Sequence, residues 1–189
     1  AAPPRSHSAT IDVRVLPLPP GGQGLPSHVP ERRLFGIDAL SSLMKFVTIL
    51  GSTGSIGAST LDIIRRNPDK YRVHALVAGR NAELLAGQIA EFRPAVAVVA
   101  DDTVRAELSE RLSAQAASHR PPLEVGRMAQ EAVASAPETE ILISAIVGVA
   151  GLPATYAAIQ AGKRVGLANK ETMVTAGELV TRAVERHRA

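Results

Sequence analysis

A short apolar strand, Val47-Thr48-Ile49-Leu50, runs directly into Gly51-Ser52-Thr53-Gly54-Ser55-Ile56-Gly57, and a helical pattern carries on from Ser55 to Arg66. Few arrangements accept three glycines at this spacing between a strand and a helix. Gly51 permits a sharp turn, Gly54 leaves room for backbone amides to meet a ligand, and Gly57 lets the helix start pack close to the strand. The unpaired amides of a first helical turn, at the positive end of its dipole, form an anion site. Ser52, Thr53 and Ser55 are candidate hydroxyl donors beside it. The spacing is G-x-x-G-x-x-G rather than G-x-G-x-x-G, so the motif alone also admits a structural turn without a ligand.

Beyond this loop the chain alternates strand and helix. Strands are predicted at Phe46–Leu50, Arg72–Ala78, Ala95–Ala100, Leu123–Val125, Glu140–Ala145 and Arg164–Ala168. Helices are predicted at Ser55–Arg66, from Asn81 to Phe92, from Asp101-Asp102 onward, around Met128–Ser135, after Gly151-Leu152-Pro153, and from Thr175 to His187. Continuous apolar strands separated by helices imply a doubly wound, mostly parallel α/β sheet covered on both faces. This domain is expected to span 44–189. Residues 1–43 differ: they hold seven of the thirteen prolines and the run Gly21-Gly22-Gln23-Gly24, which neither helix nor sheet propagates through. They read as a disordered leader or, with Met44 as a translation start, as an upstream extension.

Composition narrows the chemistry. With no cysteine there is no disulfide framework, thiolate metal site or Cys nucleophile. The five histidines are isolated, without metal-ligand spacing. The net charge of +3 is spread among acids, and three Phe and two Tyr offer little surface for stacking bases, so no nucleic-acid partner is expected. No apolar run reaches membrane-spanning length, since Ser144 and Gly148 interrupt the most apolar stretch.

The second strand ends Val77-Ala78-Gly79-Arg80-Asn81, with no acid where an NAD site usually places one for the adenosine ribose. Arg80 suits a 2′-phosphate and can lie flat against adenine, which favours NADPH over NADH. Its plainer reading is a solvated charge, although a cation at a helix start opposes the dipole and calls for an anion nearby. Asn81 reads as both helix cap and cofactor contact. A second group, Asn169-Lys170-Glu171, follows the last strand at the ligand-facing end of such a sheet. Its alternative is a cap followed by a solvated ion pair. Known reductase classes can be eliminated: acyl-phosphate reductases need the missing Cys, and short-chain dehydrogenases need a Lys four residues after Tyr, whereas Tyr156 is followed there by Gln160.

Val47–Gly57, Ala75–Asn81, Ala145-Ile146-Val147-Gly148 with Gly151-Leu152, and Leu167–Glu171 with Val174-Thr175 together resemble the 1-deoxy-D-xylulose 5-phosphate reductoisomerase family from Met44 onward. The resemblance implies a Rossmann-like fold in which Thr53, Gly54, Ser55, Ile56, Gly79, Arg80, Asn81, Asn169 and Glu171 bind NADPH and Lys170 touches a sugar-phosphate substrate. It also implies a homodimeric, cytoplasmic bacterial enzyme of non-mevalonate isoprenoid biosynthesis; plastid targeting by the leader is the lesser alternative. Such an enzyme rearranges the ketose phosphate skeleton with Mn or Mg, then reduces it with hydride. The family's metal-binding Val-Asp-Ser-Glu-His segment has no counterpart here, so the expectation for this chain alone is NADPH binding without catalytic or metal-ligating residues and without turnover. A non-catalytic NADPH-binding module is the competing reading.

Overall fold

In a computed structural model, residues 44–114, 118–168, 170–187 and 189 are described. The predicted leader, 1–43, lies outside them, as does Asn169. Six strands form one sheet: β1 (Lys45–Leu50), β2 (Tyr71–Val77), β3 (Val96–Val99), β4 (Leu123–Val125), β5 (Ile141–Ser144) and β6 (Arg164–Leu167). Their order is β4-β3-β2-β1-β5-β6, and every neighbouring pair is parallel. The chain therefore winds outward from β1 to β4, returns across β1, and continues outward to β6. The point of reversal lies between β1 and β5.

The helices are α1 (Ser55–Arg66), α2 (Ala82–Phe92), α3 (Asp102–Ala114), α4 (Gly126–Ser135), α5 (Leu152–Gln160) and α6 (Lys170–His187), with a 3₁₀ turn at Gly148–Gly151. Alternation along each strand divides the core. Val47, Ile49, Leu76, Ala97 and Val99 pack with Leu61 and Ile64 of α1, Leu85 and Ile89 of α2, and Leu108 and Leu112 of α3. Leu50, Ala75, Val77, Val98 and Leu142 face the other way, onto Val133 and Ala134 of α4 and Ala154 and Ala158 of α5. Both faces are thus dry, which is why these strands read as unbroken apolar runs. Thr48 is buried too, its hydroxyl 2.7 Å from that of Thr139, which donates to the Val133 carbonyl at 2.8 Å. A buried polar group is tolerable when paired in this way.

Most predicted boundaries shift by one or two residues. α4, for example, begins at Gly126 rather than Met128. One difference is larger. The last helix opens at Lys170, not Thr175, and is broken by non-helical backbone at Ala176 (φ −136°, ψ 22°). The expected start marks this kink rather than the helix end. Lys170 and Glu171 therefore occupy a helical first turn instead of a loop after β6. Among the described residues, no helix is long and apolar enough to cross a membrane.

Candidate functional site

The glycine loop sits where the sheet reverses. Gly51 and Ser52 N–H both donate to the Val77 carbonyl, at 2.8 and 2.9 Å, while Ala145 N–H donates to the Leu50 carbonyl at 2.9 Å. The turn is thus tied to the carboxyl ends of both neighbouring strands. Gly51 has φ +83°, and a Cβ there would lie 2.8 Å from the Ala145 carbonyl oxygen. At Gly57 a Cβ would fall 2.4 Å from the Gly51 carbonyl oxygen and 2.5 Å from that of Ser52. Both positions exclude a side chain because backbone already fills the space. Gly54 is different: a Cβ there would meet only the Gly51 carbonyl oxygen, at 3.4 Å. It is the N-cap of α1 and supplies no side-chain acceptor, and no acid stands in the first turn. The amide end of α1 is left for an external anion.

Around this loop lies a cleft of about 270 Å³, walled by Gly51, Gly54, Gly79, Ala100, Ala145 and Ile146 among others. It opens at the carboxyl ends of the strands, the place where open parallel sheets bind ligands. A larger hollow of about 720 Å³ lies at the opposite end of the sheet, against Phe46, Tyr71, His74 and Phe92. It is the poorer phosphate site, because α1 and α2 end there and present the negative poles of their dipoles. Its Arg65 is already engaged by Asp62 and Glu91 and stacks 5.3 Å from the Phe92 ring centre.

The Gly79-Arg80-Asn81 segment after β2 meets the cleft at Gly79. Nothing lies within 4 Å of where a Gly79 Cβ would stand, so this glycine keeps the mouth open. Asn81 caps α2, its Oδ1 accepting from Leu84 N–H at 3.0 Å. Arg80 is 82% exposed, and its Nη2 lies 3.2 Å from Asp101 Oδ2. The anion that a cation at this helix start requires is therefore present within the chain. Asp101 in turn caps α3 through Oδ1 and Val104 N–H, at 3.1 Å.

The structure thus gathers Gly51, Gly54 and Gly79 on one cleft, with Thr53, Ser55 and Ile56 in the same loop and helix start, and Arg80 and Asn81 following Gly79 along the chain. Ser52 is a correction. It is fully buried and its Oγ has no hydrogen-bond partner, so it is not a donor facing the cleft. The backbone at Lys170 and Glu171 follows β6, which pairs with β5 through Leu167 and Ser144.

Two contributors escaped the sequence reading. Gln88 of α2 donates through Nε2 to the Ser52 carbonyl at 2.9 Å, tethering the loop from behind. No local pattern marks it. Asp101 was legible as a helix-start acid, and its position at the end of β3, beside the end of β2, was the available clue to its pairing with Arg80. Among the described residues no group of three or more His, Cys, Asp or Glu is placed to hold a metal ion.

The fold and cleft can be set beside known proteins. Residues 47–177 match a family model described as 1-deoxy-D-xylulose 5-phosphate reductoisomerase. The protein of that name from Solibacter usitatus is 55% identical over 145 residues, which is 76% of this chain and 36% of the relative. A solved structure of the Zymomonas mobilis 1-deoxy-D-xylulose 5-phosphate reductoisomerase in complex with NADPH superposes with a TM-score of 0.71 at 43% identity, covering 78% of this chain and 38% of that one. A DOX-P reductoisomerase in complex with magnesium gives 0.72 at 39% identity, covering 76% and 35%. The chain therefore spans a little over a third of the length of the relatives it matches.

Proposed function

The chain belongs to the 1-deoxy-D-xylulose 5-phosphate reductoisomerase family, and from that premise we propose that residues 44–189 form an NADPH-binding domain serving the reduction of 1-deoxy-D-xylulose 5-phosphate to 2-C-methyl-D-erythritol 4-phosphate. The observation that carries this reading is the cleft at the sheet's point of reversal: small-walled, closed on one side by an uncapped helix end, with Arg80 next along the chain from Gly79 of its wall and no acid at the end of β2.

In this reading the amides and hydroxyls of Thr53, Gly54, Ser55 and Ile56 hold the coenzyme diphosphate. Charge-assisted hydrogen bonds to backbone N–H groups at a helix start need no side-chain ordering. Gly79 gives the adenosine room, Arg80 pairs with the 2′-phosphate, and Asn81 contacts the adenosine while still capping α2. Asn169 and Glu171 serve the nicotinamide side, and Lys170 meets the sugar phosphate. When bound, NADPH supplies the hydride; these residues bind and orient it. Metal chemistry is not assigned to the described residues, which gather no ligand set. The same reading takes the whole enzyme to be a homodimer of the bacterial cytoplasm that uses Mn or Mg.

Calorimetric titration of the chain with NADPH and with NADH tests it. We expect tighter binding of NADPH, and Arg80→Glu should abolish that preference by setting a carboxylate against the phosphate, an effect of about tenfold or more. Equal affinity for the two coenzymes in the unaltered chain would overturn the assignment of Arg80.

A further inference from the structure

The Arg80–Asp101 pair joins the ends of two adjacent strands. The backbone closes there as well, Ala100 N–H donating to the Gly79 carbonyl at 3.3 Å. The two partners are held very differently. Asp101 is fixed by its own capping bond to Val104 N–H and is only 38% exposed, whereas Arg80 stands 82% exposed at the end of a long side chain. Nη2 of the guanidinium makes the contact with Asp101, at 3.2 Å. A phosphate docking on Arg80 must therefore do so beside a carboxylate that its capping bond holds in place.

Two opposed effects follow. By pairing with Arg80 the carboxylate could pre-order it for the phosphate. It also competes for the guanidinium and repels the incoming group, which carries close to two negative charges near neutral pH. Pairs this exposed order their partners weakly. Like-charge repulsion against a doubly charged group persists after binding, so competition is the larger effect. We propose that Asp101 tunes coenzyme specificity by competing with the 2′-phosphate for Arg80, holding NADPH affinity below what the guanidinium alone would give. This rests on the assignment of Arg80 made above. NADH, lacking the phosphate, is indifferent to the competition, so Asp101 narrows the discrimination between the two coenzymes.

Asp101→Asn isolates the charge, since the amide oxygen still accepts from Val104 N–H and Asn is as good an N-cap as Asp. In calorimetric titrations of the full 189-residue chain, the variant should bind NADPH about two- to fivefold tighter, the upper part of the range expected for an exposed charge contact. NADH affinity should change by less than about twofold, and the NADPH gain should shrink as salt is raised. Asp101→Ser, which keeps a capping oxygen without the amide, should behave alike and guards against a folding defect in the first variant. If the unaltered chain prefers NADPH but neither variant binds it more tightly, the competition is disproved while Arg80 keeps its role. Weaker NADPH binding would disprove it as well and make Asp101 a positioning residue. If the unaltered chain shows no preference for NADPH, the assignment of Arg80 fails and this inference fails with it.

Discussion

At Ser52 a hydroxyl is buried with no partner, and the Oε1 of Gln88 is in the same condition while its Nε2 bonds the Ser52 carbonyl. A polar atom removed from water without a replacement bond costs about 1–3 kcal/mol. Removing the Ser52 hydroxyl leaves one unpaired polar atom fewer. Ser52→Ala should therefore leave stability unchanged or raise it by up to about 1 kcal/mol, read from the urea midpoint, with NADPH affinity held within about twofold. A loss of stability would reveal a bond to the hydroxyl. At this scale sequence reading distinguishes which residues belong to the loop but not which way each side chain turns. Ser52, Thr53 and Ser55 are chemically alike as a string. Ser52 is buried because it follows the tight turn at Gly51, whereas Ser55 emerges on the exposed start of α1.

Among the elements, the joint between β1 and α1 is the least forgiving. At Gly57 an added methyl would lie 2.4 Å from one backbone oxygen and 2.5 Å from another, and backbone tied to β2 through the Gly51 and Ser52 amides cannot yield as a flexible side chain would. Gly57→Ala should cost at least the 1–3 kcal/mol typical of overpacking and, by lifting α1 from the loop, should weaken NADPH binding in parallel; denaturant midpoints and titration together check this. Gly54→Ala, with its nearest contact at 3.4 Å and φ −81°, should fold normally. The alternation of elements was legible because the inner strands are mostly apolar on both sides and Gly, Pro or Asn punctuates most of the helices. The start of α6 was not. Lys170 to Val174 include good helix formers but are too few to show an apolar period, and the break at Ala176 beside Gly177 masquerades as a beginning.

Across the whole molecule, stability should fall on acidification in two stages. Burial at β2 is the main reason that His74 is held below its ordinary pKa; the nearby Glu138 opposes this and Lys163 adds to it. Folding thus favours the neutral ring. As pH drops below about 6.5 the unfolded chain takes up this proton first, and stability declines. Glu140 acts lower down. Its carboxylate accepts from Lys45 Nζ at 2.6 Å and is held below the usual range chiefly by that bond. Its contribution is present above the unfolded carboxyl pKa, about 4.3, and is lost as pH falls through the lower folded value. His74→Leu should flatten the decline that sets in below about pH 6.5 and leave the more acidic stage intact, whatever its offset in absolute stability. Urea midpoints across a pH series measure both stages, and an unchanged slope in the first would dismiss His74 as its source.

Local pattern was sufficient for what depends on neighbours in the chain. Strand and helix periods, the glycine spacing after β1, and the missing acid after β2 are all properties of short segments, and they determined a wound parallel sheet whose first helix opens without a side-chain cap or an acid. Tertiary structure alone decided which segments meet. The order of strands places β5 against β1, so Ala145 closes over Gly51; β3 ends beside β2, so Asp101 reaches Arg80; α2 packs behind the loop, so Gln88 reaches Ser52. Each of these contacts joins residues 21 to 94 positions apart, a separation at which no local periodicity survives and only the burial of both sheet faces fixes the partner.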